Sequence, residues 1–374
     1  MSMKIGFFGG SFDPVHNDHV AICKKFKEVL GLDKVIVMPA KISPFKKQGY
    51  FVSDFHRKEM LEIAFDGLDY VTVSDYELKK DGVSYTYETV KYLSELYKGA
   101  KLYMLIGLDS LSAFLTWKNP EQILEYCTLA VAYRKGFDFE KEVNTFKEKT
   151  NKEIVTFSTD GKISSTYVRN QLFLSLTPTD FIPEKVCDYI KSNGLYMGDA
   201  LYEYVASKLK PSRLLHTAGV IALAVEYAKK LGESADNARI AGLLHDVAKY
   251  ESAKDYPNCA MPSDVVANIE HQYLGAYVAE KVLNVKDEEV LNAIRYHSTG
   301  RPNMTKLEKI IFLADLLEPS RNYDEVEFLR NKVNEDFESG FKLCLKRLID
   351  HLNRSNEQIF SLTLMANEYY NGKK

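Results

Sequence analysis

Six short apolar segments recur through the first half of the chain, separated by stretches of helical periodicity: Lys4–Phe8, Lys34–Met38, Tyr70–Ser74, Leu102–Ile106, Thr128–Ala132 and Glu153–Phe157. In the first intervening stretch Val20, Cys23, Phe26, Val29 and Leu30 form an apolar stripe, and Gly31 stops it. This alternation predicts a mostly parallel sheet with right-handed helical crossovers, an α/β doubly wound architecture of Rossmann-like type. Ligands of such sheets bind beyond the carboxyl ends of the strands. After Leu195-Tyr196 the pattern changes, and from Asp199 onward helical periodicity runs almost without interruption. Helices are predicted to end at Tyr227–Leu231 before Gly232, and to span Asn237–Tyr250 and Lys306–Leu317. The second half therefore reads as an all-α domain. The expected division is 1–196 and 197–374, with a short linker near Met197–Asp199, and 374 residues is a natural two-domain length.

Composition narrows the function. A hydrophobic content of 45% supplies packed cores, and a net charge of −3 leaves neither half with the basic excess that a nucleic-acid backbone demands. The cysteines, Cys23, Cys127, Cys187, Cys259 and Cys344, are scattered and form no CxxC. That argues against a disulfide framework and a thiolate zinc site. With no membrane-length apolar run and no signal-peptide layout, a cytoplasmic enzyme of small anionic substrates is expected, with no nucleic-acid or membrane partner. A homo-oligomer stays open.

The string Gly9-Gly10-Ser11-Phe12-Asp13-Pro14-Val15-His16-Asn17-Asp18-His19 carries the first chemistry. A glycine-rich turn at the mouth of a helix offers unpaired backbone N–H groups and a positive dipole end to a polyphosphate. His16 and His19 share one helical face and can donate to oxygens on which charge develops. A GxGxxG fingerprint and a Walker lysine are both absent. The string resembles the GSFDPxHxxH signature of the nucleotidylyltransferase superfamily, and Ile163-Ser164-Ser165-Thr166-Tyr167-Val168-Arg169 matches its ISSTxxR element. Within that superfamily residues 3–196 resemble nicotinate mononucleotide adenylyltransferase. The further matches are Met38-Pro39-Ala40, Pro44-Phe45-Lys46, His56–Leu61, Ser84–Thr89, Ile106–Ser110, Trp117 and the tail through Leu195-Tyr196.

The resemblance implies transfer of AMP from ATP, with Mg²⁺, to nicotinate mononucleotide, giving deamido-NAD and pyrophosphate. The attacking phosphate is already ionised, so positioning and charge stabilisation suffice. It implies His16 and His19 as catalytic groups on the transferring phosphates. Gly9, Gly10, Ser11, Phe12, Gly107, Asp109, Ser164, Ser165 and Arg169 would bind ATP and its phosphates. Lys46, Thr86, Trp117 and Arg134 would bind the nicotinate nucleotide, with Trp117 stacking on the pyridine; a core aromatic is the plainer reading of that tryptophan. Two positions depart from the family pattern. Asp18 stands where glycine is usual and could cap the helix, and Lys118 follows Trp117 where an aromatic is expected. Another adenylyl- or cytidylyltransferase, of phosphopantetheine or nicotinamide nucleotide type, is the alternative.

The helical half holds His216, His245-Asp246, His271, His297 and Asp315, each about one helix and a loop from the next. Singly, each histidine suits a satisfied core position. Together, converging from neighbouring helices, they make a borderline-metal site. The pattern resembles the HD-domain phosphohydrolases. More closely, Leu243–Lys249, Ala293–Arg301 and Ala314–Arg321 are similar to the YqeK-like, symmetrical bis(5'-nucleosyl)-tetraphosphatase branch, over roughly 197–370. That branch cleaves diadenosine tetraphosphate into two ADP at a dinuclear metal centre, often iron. The resemblance implies His216, His245, Asp246 and Asp315 on one divalent metal, with Asp246 bridging to a second held by His271 and His297. Asp246 is thereby catalytic, and Lys249, Arg301 and Arg321 are the candidate polyphosphate contacts. Alternatives are a hydrolase of another nucleotide, or a regulatory module that senses a nucleotide without cleaving it.

Overall fold

The computed structural model describes residues 2–42, 51–80, 82–134, 139–161, 163–174, 176–355 and 358–372. It divides into two compact units, residues 1–168 with 178–196, and residues 169–177 with 197–374.

The first unit is built on a six-stranded sheet: β1 (Lys4–Gly10), β2 (Lys34–Pro39), β3 (Val71–Val73), β4 (Lys101–Gly107), β5 (Thr128–Arg134) and β6 (Val155–Thr159). All neighbouring strands run parallel in the order β3-β2-β1-β4-β5-β6, so the chain winds outward from β1 in one direction and from β4 in the other. The reversal between β1 and β4 opens a crevice at the carboxyl ends of those strands. The helices of this half are α1 (Asn17–Leu30), α2 (Asp54–Ala64), α3 (Thr86–Leu96), α4 (Leu108–Ala113), α5 (Pro120–Tyr126), α6 (Glu140–Thr150), α7 (Ser165–Phe173) and α8 (Glu184–Ser192). Cys23, Phe26 and Leu30 of the predicted stripe are buried, and Gly31 ends α1 at φ +59, a conformation that glycine adopts without penalty. Ile5, Phe7, Met104, Ile106, Leu129 and Val131 alternate inward along their strands into one core.

The sheet differs from the sequence reading at β1, which continues through Gly9 and Gly10 in register with Met38 and Pro39. The glycine pair therefore ends a strand and is not itself the turn. A side chain at Gly10 would stand 2.9 Å from the Phe12 ring, so glycine is needed for close packing. The turn begins at Ser11, with Phe12 in the left-handed region at φ 46 although its side chain is fully packed.

The second unit is helical: α9 (Ala200–Lys208), α10 (Pro211–Leu231), α11 (Ala235–Leu244), α12 (Glu270–Lys281), α13 (Glu288–Arg295), α14 (Lys306–Leu317), α15 (Val326–Glu335), α16 (Phe337–Arg354) and α17 (Ser361–Asn371). Residues 169–177 group with it: Asn170 Nδ2 donates to the Ala218 carbonyl at 3.3 Å, and the Phe173 ring meets Tyr202 edge-on. Gly232 caps α10, and α14 spans Lys306–Leu317 as the sequence predicts. The helix expected over Asn237–Tyr250 is shorter, because α11 stops at Leu244. Beyond it the bonds become i to i+3, from Val247 to Leu244, Lys249 to Asp246 and Glu251 to Ala248. Ala238, Ala241, Leu244 and Ala248 are nonetheless all buried, so the apolar spacing was sound and only the hydrogen bonding tightened. Among the described residues no helix is long and apolar enough to cross a membrane.

Candidate active sites

In the first unit His16 is the N-cap of α1, and its backbone N–H donates to His19 Nδ1 at 3.2 Å. The two imidazoles stack with ring centroids 3.6 Å apart. Because His19 Nδ1 accepts, its proton belongs on Nε2, which makes that nitrogen a donor. Burial against Phe8, Phe12 and His16 draws His19 down to about 3, and burial then His19 hold His16 well below the ordinary histidine range. Both rings are thus neutral near pH 7. His16 Nδ1 is buried with no hydrogen-bond partner, an acceptor or donor left over by the fold.

Asp18 is not the helix cap. From the second helical position its carboxylate accepts the Ile163 N–H at 2.7 Å, and a side chain at Gly161 would collide with it. Ser165 completes the join by donating from its hydroxyl to the Pro14 carbonyl at 2.9 Å, while Ser164 Oγ accepts the Tyr167 N–H and caps α7. The starts of α1 and α7 are therefore tied together past the end of β1, where the positive ends of two helix dipoles suit a polyphosphate. Arg169 follows one turn after Ser165 in α7 and is buried.

Arg57 is a member of this site that spacing did not single out. Fully buried, its guanidinium donates to the Ser11 carbonyl at 2.8 Å, to Ala40 at 2.7 Å and to Asp54 at 2.6 Å. It fixes the loop after β1 to the end of β2. Nothing in a lone arginine among the charges of α2 announces this; only its burial does. Asp13 likewise accepts from the Phe51 N–H and the Tyr196 hydroxyl.

Gly107, at the exposed end of β4, is the N-cap of α4 with open space where a side chain would lie, and Asp109 follows in the first turn. Thr86 opens α3. Trp117 is half-buried and packs on Phe114 at 5.2 Å, so the core reading of that residue holds for part of its ring. The next residue, Lys118, places its ammonium 3.9 Å from the Tyr85 ring centroid, which brings the Trp117 segment against the start of α3. Arg134 ends β5 and is exposed. Lys46 lies outside the described residues.

In the second unit the six histidine and aspartate residues come together. His216, His245 and Asp246 form one group of converging ligand atoms, and Asp246, His271 and His297 form another, with Asp246 common to both. Asp315 Oδ1 joins the first at 3.0 Å from His216 Nε2. The histidine Nε2 atoms face one another, 3.2 Å between His216 and His245 and 3.3 Å between His271 and His297. Three of the outer nitrogens have acceptors: His245 Nδ1 the Gly242 carbonyl at 2.7 Å, His297 Nδ1 that of Ile294 at 2.8 Å, and His216 Nδ1 Glu318 at 3.0 Å. The carbonyl acceptors on the Nδ1 of His245 and His297 hold the proton there and leave those two Nε2 lone pairs aimed inward. Asp246 Oδ1 is buried without a hydrogen bond, 3.1 Å from His271 Nε2. Inward lone pairs facing an orphaned carboxylate oxygen fit a divalent cation better than any protein donor.

Electrostatics agree for Asp246, Asp315, His245 and His271, whereas at His216 burial is outweighed by Asp315 and Glu318, which raise it. Burial alone would raise Asp246, but the surrounding imidazoles keep it well below the carboxylate range, and the same balance lowers Asp315. Burial lowers His245, and takes His271 to about 4. Both are thus in the neutral form that a metal requires. Lys249 lies at the cluster, 3.1 Å from His271 Nε2, and Arg321 donates to Asp315 Oδ1 at 2.8 Å. Arg301 does not join them: its guanidinium is paired at 2.7 Å with Glu308, which is fully buried.

Glu318 is the residue here that the sequence reading passed over. Fully buried, it also takes the Ser320 N–H and hydroxyl, and any side chain on Gly219 would strike it. Replacing it by glutamine is expected to weaken divalent-metal binding about tenfold. Metal content after dialysis against graded chelator measures this.

Two family descriptions match the chain, cytidylyltransferase-like over residues 7–171 and HD domain over 213–320. A Mycoplasma genitalium protein named probable nicotinate-nucleotide adenylyltransferase/Ap4A hydrolase is 31% identical over 92% of this chain and 98% of its own length. The chain belongs to that two-part family. It is accordingly an enzyme with a nucleotidyltransferase half and an HD hydrolase half. The Mycoplasma pneumoniae relative of the same name is 27% identical over 91% of the chain. A Clostridium perfringens protein named probable nicotinate-nucleotide adenylyltransferase is 37% identical over 52% of the chain and 98% of its own length, so it lacks a counterpart of the helical half.

Proposed function

We propose that residues 1–196 transfer AMP from ATP to nicotinate mononucleotide, and that 197–374 hydrolyse diadenosine tetraphosphate symmetrically to two ADP. The observation that carries this reading is that both constellations, the His16–His19 pair and the six-residue cluster on Asp246, occur in one chain whose likeness to the M. genitalium protein runs through both halves.

In the first half the ATP phosphates lie across the tied starts of α1 and α7, with Mg²⁺ brought by the nucleotide. His19 Nε2–H, neutral and preorganised, donates to the phosphate on which charge grows, and Arg57 keeps the loop in place. Arg169 balances departing pyrophosphate. The nicotinate ring rests on Trp117, with its carboxylate at the start of α3 near Thr86.

In the second half His216, His245, Asp246 and Asp315 would hold one divalent metal, and His271 and His297 a second that shares Asp246; iron is the expected metal. When bound, such a pair supplies Lewis-acid activation of water and of phosphate oxygens. The chain's own part is to orient the imidazoles through Gly242, Ile294 and Glu318. Lys249 and Arg321 add positive charge on the polyphosphate side.

The test is product analysis on the full chain, purified with and without oxygen. Deamido-NAD from ATP and nicotinate mononucleotide, and ADP as the sole product of diadenosine tetraphosphate, are expected. ATP plus AMP, or turnover only of a cyclic or guanosine nucleotide, would overturn the second assignment.

A further inference from the structure

Beside the histidine–aspartate cluster lies a cavity of about 660 Å³ between the end of α14 and the facing sides of α15 and α16. Asp315, whose carboxylate meets His216, is among its lining residues, and Arg321 stands next to it. Arg321 and Tyr323 also line a second cavity, of about 430 Å³, that runs past Arg213, His216 and Tyr250. Two ligand-sized spaces beside one cluster therefore share an arginine and a tyrosine in their walls.

The larger cavity does not suit phosphate. Its fixed charges cancel, Arg321, Arg347 and Arg354 against Asp315, Asp324 and Glu325, and Arg347 is already engaged with Glu325 at 3.4 Å. Leu316, Leu329 and Leu348 give it an apolar floor beside the Tyr323 ring. An apolar and aromatic floor suits a purine base, and carboxylates at the rim suit ribose hydroxyls. The phosphates would lie toward Arg321 and the cluster.

We propose that this cavity receives the nucleoside of one half of a dinucleoside polyphosphate whose phosphate chain crosses the metal cluster. The proposal rests on the hydrolase reading above and goes further, since a substrate with nucleosides at both ends needs two spaces flanking one cleavage point.

The test uses the full chain, metal-loaded, with 8-azido-ADP as the photolabel and mapping of the labelled peptides. Label within 316–329 or 347–355, displaced by diadenosine tetraphosphate, is expected. Ser355→Trp places a large ring at the exposed rim of the cavity without touching the cluster. It should raise KM for diadenosine tetraphosphate about tenfold and leave kcat within about twofold, the pattern of lost ground-state binding. Label confined to the walls around 212–250, or an unchanged KM in Ser355→Trp, overturns the proposal. A chain that takes label in this cavity, displaced by ADP, yet leaves diadenosine tetraphosphate intact supports the nucleoside pocket and overturns the substrate reading.

Discussion

Asp246→Ala is expected to eliminate hydrolysis of diadenosine tetraphosphate and to leave adenylyl transfer at its full rate. Asp246 is the residue common to both ligand groups, so its removal depletes both at once where loss of a histidine depletes one. The carboxylate also sits within 3.9 Å of an Nε2 of each of four imidazoles, so its removal takes away the one negative charge they share. A fall of about a thousandfold in kcat, equivalent to about 4 kcal/mol, is the expected scale. Metal analysis should read near zero in the variant. Retention of two metals per chain with normal hydrolysis would remove Asp246 from the site, and loss of adenylyl transfer in a folded variant would contradict separate sites.

His19→Ala is expected to do the converse. Its ring stacks on His16 and accepts the His16 N–H, and in the proposed reaction its Nε2–H donates to the transferring phosphate. Loss of one preorganised donor of this kind costs about a hundredfold to a thousandfold in kcat. Deamido-NAD formation measures it, with diadenosine tetraphosphate hydrolysis as the internal control. His19→Asn, which keeps a short donor at the helix start, should recover part of the rate. If alanine and asparagine behave alike and transfer stays near its original rate, the phosphate role assigned to His19 is wrong.

These two substitutions fall on residues that could be named from the sequence, and the reason is local. His16 and His19 are three apart at a helix start, so their proximity follows from helical geometry alone. His245 and Asp246 are adjacent. The remaining ligands recur about one helix and a loop apart in a stretch of helical periodicity, and with the resemblance to HD-domain phosphohydrolases that spacing gathers all six residues. Asp18 shows the limit. Its identity suggested a cap, a local role, but its carboxylate is spent on Ile163, 145 residues away, to join two helix starts.

Arg57 and Glu318 mark the same boundary more sharply. Each is one charged residue among many, and each turns out to be buried and to hold a functional segment in place, the loop after β1 in one case and the His216 ring in the other. Arg301 is the reverse, a basic residue in a motif-like stretch that pairs with a buried glutamate and not with the cluster.

By itself the sequence determined the strand and helix series, the parallel sheet followed by helices, and the residue types of both sites, because periodicity and close spacing act within one or two turns of chain. Tertiary structure alone decided where β1 and α11 stop, which charged groups are buried, how the imidazole nitrogens are turned, and that a cavity adjoins Asp315. Those features depend on desolvation and on hydrogen bonds between residues far apart in the chain, and no local pattern encodes either.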